Sequence, residues 1–203
     1  RSASWFGHAN RLSRDHAPWP VIDEATGATQ VPRGVTGDQP VHELTERPAI
    51  HSSGSDSDAR QIISQRRSCQ ALDGSSTLPR DTFLRMMTRT LPGLHPPWDA
   101  LWWKPTIHLA VFVHRVDDLA PGLYMLVRHA GHQDRLVEAT HNKFRWVRPA
   151  DVSDELPLYL LAEGNFRDKA RAVSCHQDIA GDGFFSLGMI ALFEEPIRQQ
   201  GAW

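Results

Sequence analysis

Two runs of β-type residues joined by one tight turn do most to limit the folds open to this chain. Ile107 to His114 is dominated by branched and aromatic residues. Asp117-Asp118-Leu119-Ala120-Pro121-Gly122 is rich in turn formers, and Leu123 to Arg128 returns as a second β run. A connection that short joins antiparallel strands, because a parallel pair needs a crossover of about a dozen residues or more. A lone hairpin is marginal in water, so other elements must cover it. Arg135 to Glu138 is a candidate third strand, Leu158 to Leu161 reads as strand or helix, and Phe184 to Phe193 reads as a buried strand.

Helical patterns surround these runs. Ala59 to Ser68 is a short amphipathic pattern with Ile62 and Ile63 facing inward. Ser55 or Ser57 serves as its cap, with Asp56 and Asp58 in the first turn. Arg80 to Thr90 follows, capped by Thr77 with Pro79 early in the helix, and Leu84, Met87 and Leu91 form its apolar stripe. Asp168 to Ile179 reads as a helix before a Gly181-Asp182-Gly183 turn, and a last helix runs from Glu195 to Gln200. Helix, helix, strands, helix, strand, helix is the order of an α+β domain, with a mixed or antiparallel sheet flanked by helices.

Residues 1–55 differ in texture. Pro18, Pro20, Pro32, Pro40 and Pro48 prevent long helices, and the run His51-Ser52-Ser53-Gly54-Ser55 is a hinge. One short helix is expected at Ile22 to Ala28. Trp5, Phe6, Trp19, Val21 and Ile22 are too apolar for a purely disordered tail, so this arm is expected to pack on the domain or on a partner. The organisation expected is therefore an extended arm over 1–55 and a domain over 56–203. The chain opens on Arg1 and ends on Gln199-Gln200-Gly201-Ala202-Trp203 inside a continuing pattern, which reads as a C-terminally incomplete domain.

Composition narrows the function classes. A net charge of −2 offers no electrostatic reason to expect nucleic acid or an anionic membrane. No apolar run is long enough to span a bilayer. Two cysteines, Cys69 and Cys175, are too few for a disulfide framework, so a cytoplasmic setting is expected, with both thiols buried or half-buried as small apolar residues. The eleven histidines are scattered; His129 and His132 are spaced HxxH with His141 nearby, but no zinc signature forms, so surface histidines and no metal are expected. Trp98, Trp102 and Trp103 beside Lys104 read as a core lid or interface patch, and Asp178 and Asp182 as capping or turn residues. There is no GxSxG elbow, Walker loop or GxGxxG loop, and no catalytic residue is assigned.

The segment with most chemical content is Gln65-Arg66-Arg67-Ser68. Two guanidiniums and a hydroxyl side by side suit the oxygens of an anionic small molecule. The plainer alternative is a solvated basic helix end that favours the helix dipole.

Several segments together resemble the nitroreductase-like flavoprotein superfamily. Gln65-Arg66-Arg67-Ser68 followed by Asp73-Gly74 resembles its first FMN-contacting segment. Leu109 to Val113 with Val116-Asp117-Asp118-Leu119-Ala120-Pro121-Gly122-Leu123-Tyr124 is similar to its PGLY hairpin. Cys175-His176-Gln177-Asp178-Ile179-Ala180 and Phe184 to Ala191 look like the helix and central strand that follow. The version is closest to the SagB-type dehydrogenases, which oxidise azoline rings of modified peptides. Asn10-Arg11-Leu12-Ser13, Asp15-His16 and Trp19-Pro20 resemble the linker that enters the second of two tandem domains. The resemblance implies a nitroreductase-like fold, FMN at a homodimer or tandem pseudo-dimer interface, and a small-molecule or modified-peptide substrate. It implies that Arg66, Arg67 and Ser68 contact the phosphate, ribityl chain or pyrimidine edge, that Gln70 takes the place where members carry a basic residue, and that Gln177 lies near the isoalloxazine edge. A cation near N1 would stabilise reduced flavin. The Lys-Tyr pair associated with azoline oxidation is absent from this sequence, since none of Lys104, Lys143 and Lys169 precedes a tyrosine. A non-catalytic tandem module that completes a neighbour's flavin site, or docks a peptide, is the alternative.

Overall fold

The computed structural model describes residues 4, 6–8, 17–30, 58–94, 96–101 and 105–200. Two units form, 1–38 with 194–203 and 39–193. The first holds α1 (Pro20–Ala28), whose leading proline has no N–H to waste at a helix start. Its other helix spans Glu194–Gln200, with Arg198 placed 3.7 Å from Glu194 one turn back. Phe6, Trp19, Val21 and Ile22 are exposed. The hinge at 51–55, Trp5, and the linker-like residues 10–13, 15 and 16 lie outside the described residues.

The second unit carries α2 (Ala59–Gln65), α3 (Arg80–Arg89), β1 (Ile107–Val113), β2 (Gly122–Leu126), α4 (Gln133–Ala139), β3 (Leu158–Glu163), α5 (Arg167–Val173), α6 (Ile179–Asp182) and β4 (Phe185–Ala191), which makes the Glu194–Gln200 helix α7. The strands form one antiparallel sheet in the order β3-β2-β1-β4. The architecture is thus α+β. Val111 of β1 lies opposite Tyr124 of β2 and Leu187 of β4, so these three share a face.

Alternation along β1 and β2 sends Leu109, Val111, Val113, Tyr124 and Leu126 to that face, where Phe83, Met87 and Leu91 cover them. Helical spacing lets α3 present Phe83 and Met87 from one side, with Leu91 just past its end. Each fully buried side chain of this size contributes about 1.5–3 kcal/mol. The opposite face is covered over β2 and β3 by Leu136 of α4, against Met125, Val127 and Leu161.

The PGLY turn has a clear mechanical role. A Cβ on Gly122 would stand 2.5 Å from the carbonyl oxygen of Ala162 in β3, so only glycine permits this strand spacing. Tyr124 then closes the turn, donating its hydroxyl to the Ala120 carbonyl at 2.6 Å. Burial raises its ionisation to about 12.

Several expectations are corrected. The first helix of the domain ends at Gln65, and Asp58, whose carboxylate accepts from Arg60 N, caps it; Ile62 and Ile63, expected to face inward, are exposed. Pro79 stands at the N-cap of α3, so Thr77 does not cap it. Arg135 to Glu138 belongs to α4, its Leu136 being buried by helical geometry. The segment 168–179 is broken: α5 stops at Val173, Cys175 and His176 adopt positive φ (54° and 59°), and α6 runs on through Gly181 and Asp182. β4 is an edge strand whose Leu187, Met189 and Ile190 are exposed. α3 meets β4 at Phe185, through an edge-to-face contact of Phe83 with Phe185 at 5.2 Å. Both cysteines are exposed, whereas His108 and His114 are buried.

Candidate functional site

Arg66, Arg67, Ser68 and Gln70 follow α2 on an exposed segment. Arg66 leaves the helix with φ −58° and ψ 133°, so the two guanidiniums diverge from an extended backbone and do not share a helix face. Arg67 donates from Nη1 to the carbonyls of Ser64 and Arg66, each at 2.9 Å, and so caps carbonyls its own helix end leaves open. Neither Arg66 nor Arg67 meets a carboxylate among the described residues. Gln177 is also exposed, in the turn between α5 and α6.

Immediately downstream the chain is clamped. Asp73 accepts from the backbone N–H groups of Ser75 (3.0 Å) and Ser76 (3.1 Å) and from the Ser76 hydroxyl, an Asx-type turn. The Ser76 hydroxyl and these two amides hold its carboxyl near 2, against desolvation. Gly74 supplies the positive φ (67°) that the turn requires.

Arg115, just beyond β1, reaches into this turn. Its Nε donates to the Ser76 carbonyl at 2.7 Å and its Nη2 to the Asp182 carbonyl at 2.5 Å, with Asp73 4.0 Å away. Arg167 of α5 donates to the Gly74 carbonyl at 3.2 Å. Arg171 gathers three acids: Asp182 at 2.7 Å, Asp168 at 2.9 Å and Asp178 at 3.5 Å. Its guanidinium passes so close to α6 that a Cβ on Gly181 would stand 2.7 Å from Nε. Beneath lies His114, whose Nε2 donates to the Ala180 carbonyl at 2.9 Å; burial lowers its basicity.

This cluster is a fastener. Arg171 pairs with Asp168, Asp178 and Asp182, Arg115 lies 4.0 Å from Asp73, and Arg167 is held through the Gly74 carbonyl. The cluster pins the 72–76 loop to the ends of β1, α5 and α6, and Leu72 reaches the same corner beside Gly183. The structure therefore brings the loop that follows Arg66–Ser68 against the α5–α6 corner that carries Gln177, while all five sequence-selected side chains remain solvent-facing. Asp178 and Asp182 prove to be ion-pair acceptors for Arg171, and Asp178 at the N-cap position of α6 makes no side-chain cap hydrogen bond.

A second polar group lies behind the sheet. His108 Nδ1 accepts the Arg128 backbone N–H at 3.1 Å, which leaves the proton of neutral His108 on Nε2, directed at His132 Nδ1 3.2 Å away. His129 stacks on His132 at 4.2 Å. Burial, then His132, push His108 down to about 4. Among the described residues no three His, Cys, Asp or Glu side chains are disposed to hold a metal. No described helix is long and apolar enough to cross a membrane.

Sequence reasoning missed Arg115, Arg167, Arg171 and His114. The available signal was the i,i+4 pair Arg167/Arg171 on one helix face, three residues of acid nearby in sequence notwithstanding. Comparison with protein-family models and with curated proteins gives no match.

Proposed function

We propose that this chain is an FMN-dependent oxidoreductase domain of nitroreductase-like fold, of the SagB dehydrogenase type, acting on a small heterocycle or a modified peptide. The observation that carries the reading is the state of Arg66 and Arg67: adjacent, exposed, next to the Ser68 hydroxyl and free of any carboxylate among the described residues. Such a pair has donors to spare for a phosphate. Arg66, Arg67 and Ser68 would hold the phosphate end, and Gln70 and Gln177 would contact the rest of the flavin. The flavin supplies two-electron redox chemistry through N5.

An open site of this kind needs a second wall. Leu187 and Met189 on the edge strand, with Ile62 and Ile63 on α2, supply apolar surface for one, whether a second copy or a tandem neighbour. The same surface favours the alternative of a module that keeps no flavin of its own and completes its neighbour's site.

The test is a flavin titration of the full chain, followed by absorbance and fluorescence. Saturable FMN binding is expected, weakened about tenfold by Arg66→Ala and by Arg67→Ala, as for loss of a charged hydrogen bond. A colourless protein with no saturable binding sensitive to these changes refutes the proposal.

A further inference from the structure

A cavity of about 220 Å³ lies away from Arg66 and Arg67, lined by Pro92, Trp98, Leu101, Thr106, Ile107 and Arg128, among others. Among the described residues its walls are apolar except for Thr106 and one cation. The Arg128 guanidinium lies 4.7 Å from the Trp98 ring centroid. Two of its N–H groups are engaged, Nε with the Thr90 carbonyl at 2.8 Å and one of Nη1 with the Ile107 carbonyl at 3.1 Å. Nη2 and the other Nη1 hydrogen have no acceptor among the described residues, and no carboxylate there balances the charge. Trp98 is itself fixed, donating Nε1–H to the Arg89 carbonyl at 3.0 Å. Desolvation already disfavours the charged form of Arg128. A desolvated guanidinium held by backbone carbonyls, with its outer edge open toward an apolar hollow, is complementary to a single negative group carrying a small apolar body.

We propose that this cavity is a binding site for a small apolar carboxylate, the carboxylate paired with the free edge of Arg128 and the apolar body seated on Trp98, Leu101 and Ile107. Size sets the class of ligand. A cavity of about 150 Å³ holds one benzene, so this one holds a single ring with a short acidic arm and excludes dinucleotides and long acyl chains. A free aromatic or branched acid and the C-terminal residue of a peptide share that chemistry. The assignment does not depend on the flavin reading.

The probes are 3-phenylpropionate, its neutral amide 3-phenylpropanamide, and N-acetylphenylalanine, titrated into the full chain by calorimetry without added flavin. Saturable binding of at least one acid is expected, with 3-phenylpropionate or N-acetylphenylalanine preferred over the amide about tenfold. Preference for N-acetylphenylalanine assigns a peptide terminus, and preference for 3-phenylpropionate a free acid. Arg128→Gln should erase the preference for acid over amide. Leu101→Trp, which fills the hollow without touching Arg128, should abolish binding. Equal binding of acid and amide, no saturable binding of either acid, or unchanged binding to Leu101→Trp overturns the proposal. Should Arg128→Gln fail to fold, the acid–amide comparison and Leu101→Trp decide.

Discussion

His108 is where a single protonation matters most. Its Nδ1 receives the Arg128 N–H and its Nε2 faces a second imidazole, so an added proton on Nδ1 would confront a donor. The folded protein therefore resists charging it down to about 4, while the unfolded chain takes up the proton near 6.5. Because the folded value is depressed, the stabilisation is complete above about pH 6.5 and is lost as pH falls towards 4. Urea unfolding between pH 7 and 4.5 should show this loss, and His108→Gln should flatten the profile relative to wild type. An equally steep profile in His108→Gln would assign the acid sensitivity elsewhere. Single residues also mark where sequence reading failed: neither the burial of His108 and His114 nor the exposure of Cys69 and Cys175 follows from residue type, because each depends on what the fold sets opposite.

At the scale of elements, the hairpin was legible and its neighbours less so. β1 and β2 were legible as runs of β-type residues on either side of a turn, and α3 from its apolar stripe at helical spacing. The Leu136-Val137 pair looked strand-like because two apolar residues cannot distinguish a period of two from one of 3.6. The break between α5 and α6 carried no proline, and it occurs at Cys175 and His176, whose positive φ no composition rule foretells. The fastening cluster was hidden for another reason: Arg115 lies 39 residues from Ser76 and 67 from Asp182, so only the tertiary fold brings them together. The hairpin motif itself makes a sharp mechanical prediction. Gly122→Ala drives a methyl against the Ala162 carbonyl, so β2 and β3 must separate. A loss of about 1–3 kcal/mol in chemical denaturation is expected, the cost of overpacking. A neutral substitution would mean the β2–β3 spacing is looser than this geometry.

For the whole molecule, the decisive fact is an incompletely covered sheet. Reading Phe184 to Phe193 as buried was correct about its apolarity and wrong about its cover, since a continuous apolar run shows that a strand is compatible with burial and says nothing of the covering surface. An exposed edge with Leu187 and Met189 invites pairing. If a second copy covers it, sedimentation will show concentration-dependent association that Met189→Lys lowers while leaving the unfolding midpoint unchanged. A monomer at all concentrations would point instead to a tandem neighbour.

The Asx turn at Asp73 has one more consequence. It is the point at which the chain becomes fixed to the sheet, so everything from Asp58 to Ala71 stands outside the fastened body, with every side chain turned to water. A ligand held by Arg66 and Arg67, as proposed, would gain a tether without deforming the core, and residues 58–71 could change in sequence while the scaffold beneath them stays the same.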